Sequence, residues 1–390
     1  MKKMNLALIC LSFIALTTNA QIVNIPDANF KAALIAPPNN VDINHDSEIQ
    51  LSEAQVITWL RLNNKSISDL TGIETFTALY QLECDSNQLT SLNVTQNTAL
   101  FDLECDYNQL TSLDVSQNTA LAGLYCSYNQ LTSLDVSKNI ALEALYFSSN
   151  KLTSIDVTNN TALQQLCCAY DSLLTSIIGA NNKSALSLVV FQYNTQLTSL
   201  DVSNDPALTD LYCDYNQLTS INLTNNTALK TIQCPGNKLT SINVSTNTAL
   251  ESLFCDDNQL TNIDVSNNTE LWGLSCPTNQ ITNLDVTNNT ALSTLWCYDN
   301  PNLFEICVNS TQLGLTTTDP TNWTKDSFAS WSTNCTTSID ENLTLHAPKL
   351  LYIFNLMGQK VNPEKIENGI FIYQYNDGSI RKIGKFDTFK

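Results

Sequence analysis

Histidine is scarce in this sequence, which narrows the chemistry that the protein can support. Only two histidines occur among 390 residues, His45 and His346, and neither lies near a nucleophile motif. The chain also lacks a Walker-type phosphate loop, a GxGxxG turn, an HExxH zinc helix and a GxSxG nucleophile elbow. We therefore expect no catalytic residues and no organic cofactor, and we predict that the protein is not an enzyme.

Long apolar runs are missing as well. No segment approaches the roughly 18 consecutive apolar residues that a membrane-spanning helix needs. The apolar run from Leu6 to Leu16 is too short for this; two lysines precede it, and small and polar residues follow it up to Ala20. That order is typical of a secretory signal peptide. We predict a signal peptide over residues 1–20, an exported chain that begins at Gln21, and no membrane span.

Basic residues are few, with 18 Lys and Arg against 37 Asp and Glu. The imbalance lies in residues 21–338, which hold 9 basic and 31 acidic residues, whereas residues 339–390 hold 7 and 6. An acidic surface repels phosphate backbones, so we expect no nucleic-acid partner. Cations and basic proteins are more favourable partners for this negatively charged surface.

A 21-residue repeat fills most of the chain. Its general form is L-x-x-L-x-C-x-x-N-x-L-T-S-L-D-V-S-x-N-T-A, and ten units run from Leu79 to about Ala291. Both halves alternate apolar and polar residues as strands do, without a helical period. The repeating Asn after the Cys is expected to turn inward and bond backbone groups of adjacent coils. The cysteine column comprises Cys84, Cys105, Cys126, Phe147 and Cys168, then Cys213, Cys234, Cys255, Cys276 and Cys297.

This repeat resembles the leucine-rich-repeat family, whose core is LxxLxLxxNxL, and in particular the short bacterial, internalin-like class. The resemblance implies a β-rich solenoid over residues 57–307, a right-handed coil with parallel strands on two faces. Because neighbouring strands lie about 4.8 Å apart, roughly eleven coils would form a rod on the order of 50 Å long. One coil cannot bury its apolar edge alone, so the coils must stack.

Thirteen cysteines in an exported chain raise the possibility of a disulfide framework. Cysteines in one column of parallel strands point the same way, which suits the disulfide dihedral poorly. We therefore interpret the column as a ladder of buried thiols. Cys307 and Cys335 lie outside the column, at the end of the solenoid, and could form a disulfide that clamps the last coil.

Residues 21–56 are predicted to form an N-terminal cap, with a short helix that begins after Asp27. An EF-hand-like loop follows, although Ser47 stands where the sharp turn normally has glycine. The loop could hold a structural calcium ion, or it could be only a polar turn of the cap. Its candidate ligands are Asp42, Asn44, Asp46, Glu48 and Glu53.

The chain after the repeats divides into a C-cap with linker, residues 308–338, and a tail, residues 339–390. The tail contains N-L-M-G-Q-K-V from Asn355 and N-G-I-F-I-Y from Asn368. These motifs resemble the type IX secretion sorting domain of Bacteroidetes, although its earlier proline-containing strand is missing or degenerate. The resemblance implies a small antiparallel β domain that engages the type IX machinery, and a protein that is secreted or attached to the outer membrane at the cell surface.

One face of the solenoid is rich in tyrosine. Outward positions of the first half-repeat vary from coil to coil, which leaves them available for recognition, and tyrosine concentrates in binding surfaces. We predict a protein that binds an extracellular protein or glycan, as the resemblance to internalin-like surface proteins implies. The alternative is a purely structural surface protein whose aromatics only stack across strands. The predicted binding residues are Tyr107, Tyr125, Tyr128, Tyr146, Tyr170, Tyr193, Tyr212, Tyr215, Phe254 and Trp296.

Overall fold

The computed structural model describes residues 21–335 and the backbone of four later strands between residues 350 and 385. The predicted signal peptide lies outside the described residues, as do residues 336–349 and the segments between the later strands. The chain divides into two compact units, with the division between Thr333 and Asn334. Each unit is described by itself.

Short strands and three helices make up the regular structure. The helices are α1 (Ala28–Ile35), α2 (Leu51–Ala54) and α3 (Ser310–Thr318), with a 3-10 turn at Ile73–Thr75. In chain order the strands are β1 Trp59–Arg61, β2 Gln81–Glu83, β3 Asp102–Glu104, β4 Gly123–Tyr125, β5 Ala144–Tyr146, β6 Ser154–Asp156, β7 Gln165–Cys167, β8 Ser176–Ile178, β9 Leu188–Val190, β10 Leu200–Asp201, β11 Asp210–Tyr212, β12 Ile221–Asn222, β13 Thr231–Gln233, β14 Ser252–Phe254, β15 Gly273–Ser275, β16 Leu284–Asp285, β17 Thr294–Trp296, β18 Glu305–Cys307, β19 Trp323–Thr324, β20 Ser330–Ser332, β21 Leu350–Asn355, β22 Lys360–Val361, β23 Gly369–Tyr375 and β24 Ile380–Lys385.

The first unit is a parallel β-solenoid of about 13 turns, as the repeat predicts. One strand from each turn joins a 13-stranded sheet in the order β1-β2-β3-β4-β5-β7-β9-β11-β13-β14-β15-β17-β19. Equivalent residues of successive repeats pair in register, as Leu103 does with Leu124. The middle residue of each strand is apolar and buried, and its two neighbours face outward.

The cysteine column is a ladder of buried thiols, which confirms its interpretation. Ten cysteines of the described residues are free and buried, and Phe147 and Phe191 fill the same column where cysteine is absent. Some thiols lie close to the backbone carbonyl of the next coil, such as Cys84 Sγ at 3.2 Å from Glu104 O. Burial raises the pKa of every thiol in this column.

The second face of the solenoid is less regular than its alternating pattern predicts. In the described residues its parallel pairing is limited to β6-β8, β10-β12, β16-β18-β20 and one isolated bridge between Asn93 and Asp114. The local turn made by the polar residue of this half-repeat is common to both kinds of coil. Asp135 in an unpaired coil accepts the Ser137 N–H, and Asp156 in β6 accepts the Thr158 N–H, each at 2.9 Å.

Two columns of buried asparagine tie the coils together. The predicted column behaves as expected: Asn108 donates to Cys84 O and accepts the Leu89 N–H of the preceding coil, each at 3.0 Å. The second column was not predicted from the repeat, although its members are fully buried and donate to backbone carbonyls in the same way. They are Asn97, Asn118, Asn139, Asn160, Asn226, Asn247, Asn268 and Asn289.

Charged residues replace asparagine in the irregular middle coils. In the second column, Lys183 donates its Nζ to Val157 O at 2.7 Å, and Asp205 Oδ1 accepts the Lys183 N–H. In the first column, the fully buried Asp171 stands one repeat after Asn150. These coils therefore keep the hydrogen-bonding positions of the repeat but add buried charge.

Both ends of the solenoid are capped. At the N-terminal end Asp27 accepts the Asn29 and Phe30 N–H groups and starts α1, as predicted. Near the other end α3 begins with a capping box between Asn309 and Gln312. The buried Gln312 amide then donates to Val286 O and Asn289 O, continuing the second asparagine column with a longer side chain.

The second unit contains a four-stranded antiparallel sheet in the order β22-β21-β23-β24. The antiparallel pairing agrees with the β tail that the sequence predicts. The backbone pairs Ile353 with Tyr373 across the centre of this sheet. The stretch between Leu356 and Gln359, in the middle of the first sorting motif, lies outside the described residues.

Candidate recognition face

The main sheet separates the ten predicted binding residues into two columns. The sheet column consists of outward residues that end their strands, and the corner column lies three residues later, where the chain leaves the sheet. Tyr125, Tyr146, Tyr212, Phe254 and Trp296 stand in the sheet column. Tyr107, Tyr128, Tyr170, Tyr193 and Tyr215 stand in the corner column.

The corner column has a left-handed backbone throughout. Its φ values are all positive, and they are similar whether the residue is Ser86 (+55°), Tyr107 (+54°) or Gly236 (+65°). The next residue is the inward-turning Asn, so the chain must bend sharply at this point. A left-handed conformation costs a side-chain-bearing residue roughly 1–2 kcal/mol, and it is uncommon for bulky residues. Five tyrosines nevertheless occupy it.

The corner tyrosines stack along the rod and stay exposed. Ring centroids are 4.2 Å apart for Tyr107 and Tyr128, 4.7 Å for Tyr170 and Tyr193, and 4.8 Å for Tyr193 and Tyr215. The rings lie nearly parallel, with interplanar angles from 5° to 16°. The exposed fraction of these residues still ranges from 37% to 57%. Stacking therefore orders the rings without removing them from solvent.

The sheet column is more sheltered. Tyr125 and Tyr146 stack at 5.1 Å and are half-buried, whereas Trp296 is exposed. Burial raises the pKa of Tyr125, Tyr146 and Tyr212, so their hydroxyls remain protonated at neutral pH. Tyr146 Oη bonds Gln165 Oε1 of the next coil. This column offers ring edges and neutral hydroxyl groups.

Carboxylates lie beside the first aromatic residues of the face. Glu83 accepts the Trp59 indole N–H at 2.9 Å and the Arg61 Nε at 3.0 Å. Burial, followed by the charge of Asp85, raises the pKa of Glu104 to about 7. Burial also raises the pKa of Asp106 to about 6. The face is therefore anionic near neutral pH, and part of its charge is lost on mild acidification.

A third aromatic column, which was not predicted from the sequence, lies immediately before the strands. Tyr80 and Phe101 stack there at 4.8 Å and are 48% and 38% exposed. Trp272 occupies the same column further along and is 45% exposed. These residues lie three positions before the sheet column, and the aromatic character of that position was visible in the aligned repeats.

The cap loop brings its polar side chains together around backbone amides. Asp42 accepts the Asp46 and Ser47 N–H groups, and Glu53 accepts the Ile43, Asn44 and Gln50 N–H groups. Within the described residues, no group of three or more His, Cys, Asp or Glu is arranged to hold a metal ion. The carboxylate oxygens of Asp42 and Glu53 already accept backbone N–H groups. A calcium ion would bind them only by displacing those N–H donors. Calcium binding here stays a prediction.

Glu48 was predicted to offer its backbone carbonyl to the ion, and its side chain pairs with Lys31 at 2.7 Å. At the other end of the solenoid, Cys307 and Cys335 are both disulfide-bonded. Among the described residues, no helix has both the length and the apolar character that a membrane crossing requires.

Comparisons with known proteins support the fold. No protein-family model matches the chain. Internalin J of Listeria monocytogenes is 39% identical over 72 residues, which is 18% of this chain and only 8% of that protein. The chain thus matches less than a tenth of that relative's length.

Two solved structures are similar. The functional domain of InlJ from Listeria monocytogenes, which includes a cysteine ladder, is 26% identical with a TM-score of 0.43, covering 93% of this chain and 97% of that one. The internalin InlF from Listeria monocytogenes is 22% identical with a TM-score of 0.55, covering 81% and 99%. The likeness to InlF agrees with an internalin-like leucine-rich-repeat fold.

Proposed function

We propose that this chain is a secreted or cell-surface binding protein that recognises an extracellular protein or glycan through its sheet and corner columns. In this proposal residues 1–20 direct export, and the tail engages the type IX secretion machinery. The protein performs no catalysis and binds no nucleic acid. The internalin-like fold and the acidic solenoid support this assignment.

The observation that carries the proposal is the exposure of the corner tyrosines. Ser86, Gly236 and Asp257 adopt the same left-handed conformation, so the coil closes without tyrosine. A large aromatic side chain at this position gains little burial and accepts backbone strain. Strained positions are retained mainly where function requires them, and rigid exposed tyrosines are effective contact residues.

The alternative, a purely structural protein, rests on the stacked rings. A stacked aromatic pair contributes about 0.5–1.5 kcal/mol beyond its burial. If stacking were the only role, removing the rings would lower stability. In the binding proposal, replacing these tyrosines with glycine loses the stacking but relieves the left-handed strain, because glycine has no Cβ. The strain is of similar size, roughly 1–2 kcal/mol per residue.

The test combines a binding screen with a triple substitution. The full-length protein is screened against arrays of extracellular proteins and glycans, in parallel with Tyr170→Gly/Tyr193→Gly/Tyr215→Gly. Glycine already occupies this position at Gly236. A matched control is Ile140→Thr, because Ile140 is 62% exposed on the other half of its repeat, where most repeats have threonine.

We expect the triple variant to lose partner binding while its Tm stays within about 3 °C of the original, and the control to keep both. A drop of more than about 6 °C with unchanged partner binding would favour the structural alternative. A protein that captures no partner on either array would contradict the proposed function.

A further inference from the structure

The run of corner tyrosines is interrupted at one coil. In coil order the column holds Tyr107, Tyr128, Ser149, Tyr170 and Tyr193. Ser149 has φ +56°, against +55° at Tyr128 and +62° at Tyr170, so its backbone is that of a tyrosine position. The coil is complete, and only the ring is missing.

The spacing of the coils defines the size of this gap. Parallel strands lie about 4.8 Å apart, and stacked rings of successive coils lie 4.2–4.8 Å apart. The rings of Tyr128 and Tyr170 belong to coils two steps apart, so about 9–10 Å separates them. A flat ring placed midway would lie roughly 4.5–5 Å from each, which is the range of aromatic stacking.

The flanking rings form the walls of the gap. The two stacks on either side have interplanar angles of 8° and 5°, and their ring faces are therefore directed along the rod. Ser149 is half-buried, whereas Ser86, at the outer end of the same column, is exposed. This difference is consistent with aromatic walls on both sides of Ser149 and on only one side of Ser86.

The chemistry of the gap favours an aromatic side chain. Its floor contributes one hydroxyl, from Ser149, which is little for the many hydroxyls of a sugar. Lys151 lies nearby, and its Nζ is 3.3 Å from Gln130 Oε1. Residues 21–338 hold 9 basic and 31 acidic residues, so the solenoid attracts positively charged segments over distances of about a Debye length.

We propose that the gap at Ser149 is a docking slot for an aromatic side chain carried by a basic segment of a partner protein. The inference rests on the proposed function and specifies its ligand. The incoming ring takes the place of the missing tyrosine and joins the two stacks into one continuous ladder. Flanking Lys or Arg residues of the partner meet the acidic surface.

Filling the slot tests the proposal. Ser149→Tyr supplies the missing ring, and Ser86→Tyr is the matched control, because it adds the same ring at the same backbone conformation beside Tyr107 but leaves the slot open. Isothermal titration calorimetry on the full-length proteins uses the capped peptide Lys-Trp-Lys as the probe and Lys-Leu-Lys as the ringless control. Thermal melting confirms that both variants are folded.

We expect Lys-Trp-Lys to bind the original protein and Ser86→Tyr within two-fold of each other, and to bind Ser149→Tyr at least ten-fold more weakly. Lys-Leu-Lys should bind at least ten-fold more weakly than Lys-Trp-Lys. Equal affinity for both peptides would contradict the proposed docking slot. An affinity for Lys-Trp-Lys that Ser149→Tyr leaves unchanged would contradict it as well. Binding of methyl glucoside that Ser149→Tyr abolishes, without binding of Lys-Trp-Lys, would also overturn it. In each case partner capture by the full face would still support the proposed function.

Discussion

Replacing Asp171 with asparagine should stabilise the protein at neutral pH. Asp171 is fully buried at a position where regular repeats carry asparagine. It accepts the Asn150 N–H at 3.1 Å and lies 3.2 Å from the Cys168 Sγ. Burial raises its pKa to about 6. An asparagine keeps the acceptor oxygen and restores the amide donor that the neighbouring coils use.

The magnitude follows from proton linkage. The pKa of Asp171 is about 3.9 in the unfolded chain and about 6 in the folded protein. The stability that depends on protonated Asp171 is therefore fully present below about pH 4, and it is lost as the pH rises through about 6. Above pH 7, ionisation of Asp171 would lower the free energy of unfolding by at most about 3 kcal/mol. The asparagine side chain of the variant carries no charge, so the stability of the variant should not show this loss.

Urea unfolding at pH 4 and pH 8 measures the effect. Asp171→Asn should raise the urea midpoint at pH 8 and change it little at pH 4. The matched control is Asp114→Asn, because Asp114 is exposed and hydrogen bonds to Ser116 lower its pKa. That variant should lose stability at pH 8. A pH 8 midpoint for Asp171→Asn at or below that of the original protein would show that the ionised Asp171 does not destabilise its coil.

Three further predictions concern other parts of the chain. The ten ladder and neighbouring thiols, all buried, should react with Ellman's reagent only after denaturation, and rapid reaction of the native protein would contradict a packed ladder. Calcium binding by the cap loop predicts a higher Tm in millimolar calcium that Asp42→Asn removes; equal Tm values in calcium and in EDTA would leave the loop a polar cap turn. Gly236→Ala should lower stability by about 1 kcal/mol, since the residue has φ +65° and an added Cβ would clash with Tyr215 Cδ1; an unchanged urea midpoint would show that this corner relaxes freely.

The solenoid and its core could be predicted because stacking imposes a strict period. Leu103, Leu124 and Leu145 recur at 21-residue steps, and each pairs with its equivalent in the next coil. Any shift would move a leucine out of the core column. The buried thiols followed from the same reasoning, since parallel side chains in one column cannot easily form disulfides.

The second face and the second asparagine column were harder to predict. The alternation around Asp135 is typical of a strand, but in the described residues this half-repeat pairs only in some coils, such as that of Asp156 in β6. Asn97 and its equivalents look like surface residues in a polar stretch, yet they are fully buried. Their burial depends on carbonyls contributed by the preceding coil, which sequence periodicity alone does not reveal.

The tyrosine face was predicted as a surface, but the different backbone conformations of its two columns were not. Tyr125 stands one residue before the cysteine column and Tyr128 two residues after it, and both were predicted to face outward. The left-handed conformation at Tyr128 is a property of the corner position. In the sequence, the small residues Ser86 and Gly236 at the same position indicated it. Bulky residues are uncommon in that conformation, so tyrosine itself gave no indication of it.

Footprinting of the full-length protein with a captured partner examines whether recognition uses the tyrosine columns. Tyrosine modification is measured by mass spectrometry with and without the partner. Binding should protect the corner residues Tyr170, Tyr193 and Tyr215. Tyr298, which is 42% exposed outside both columns, should stay reactive. Unchanged modification of all three corner tyrosines in the saturated complex would contradict recognition through this face.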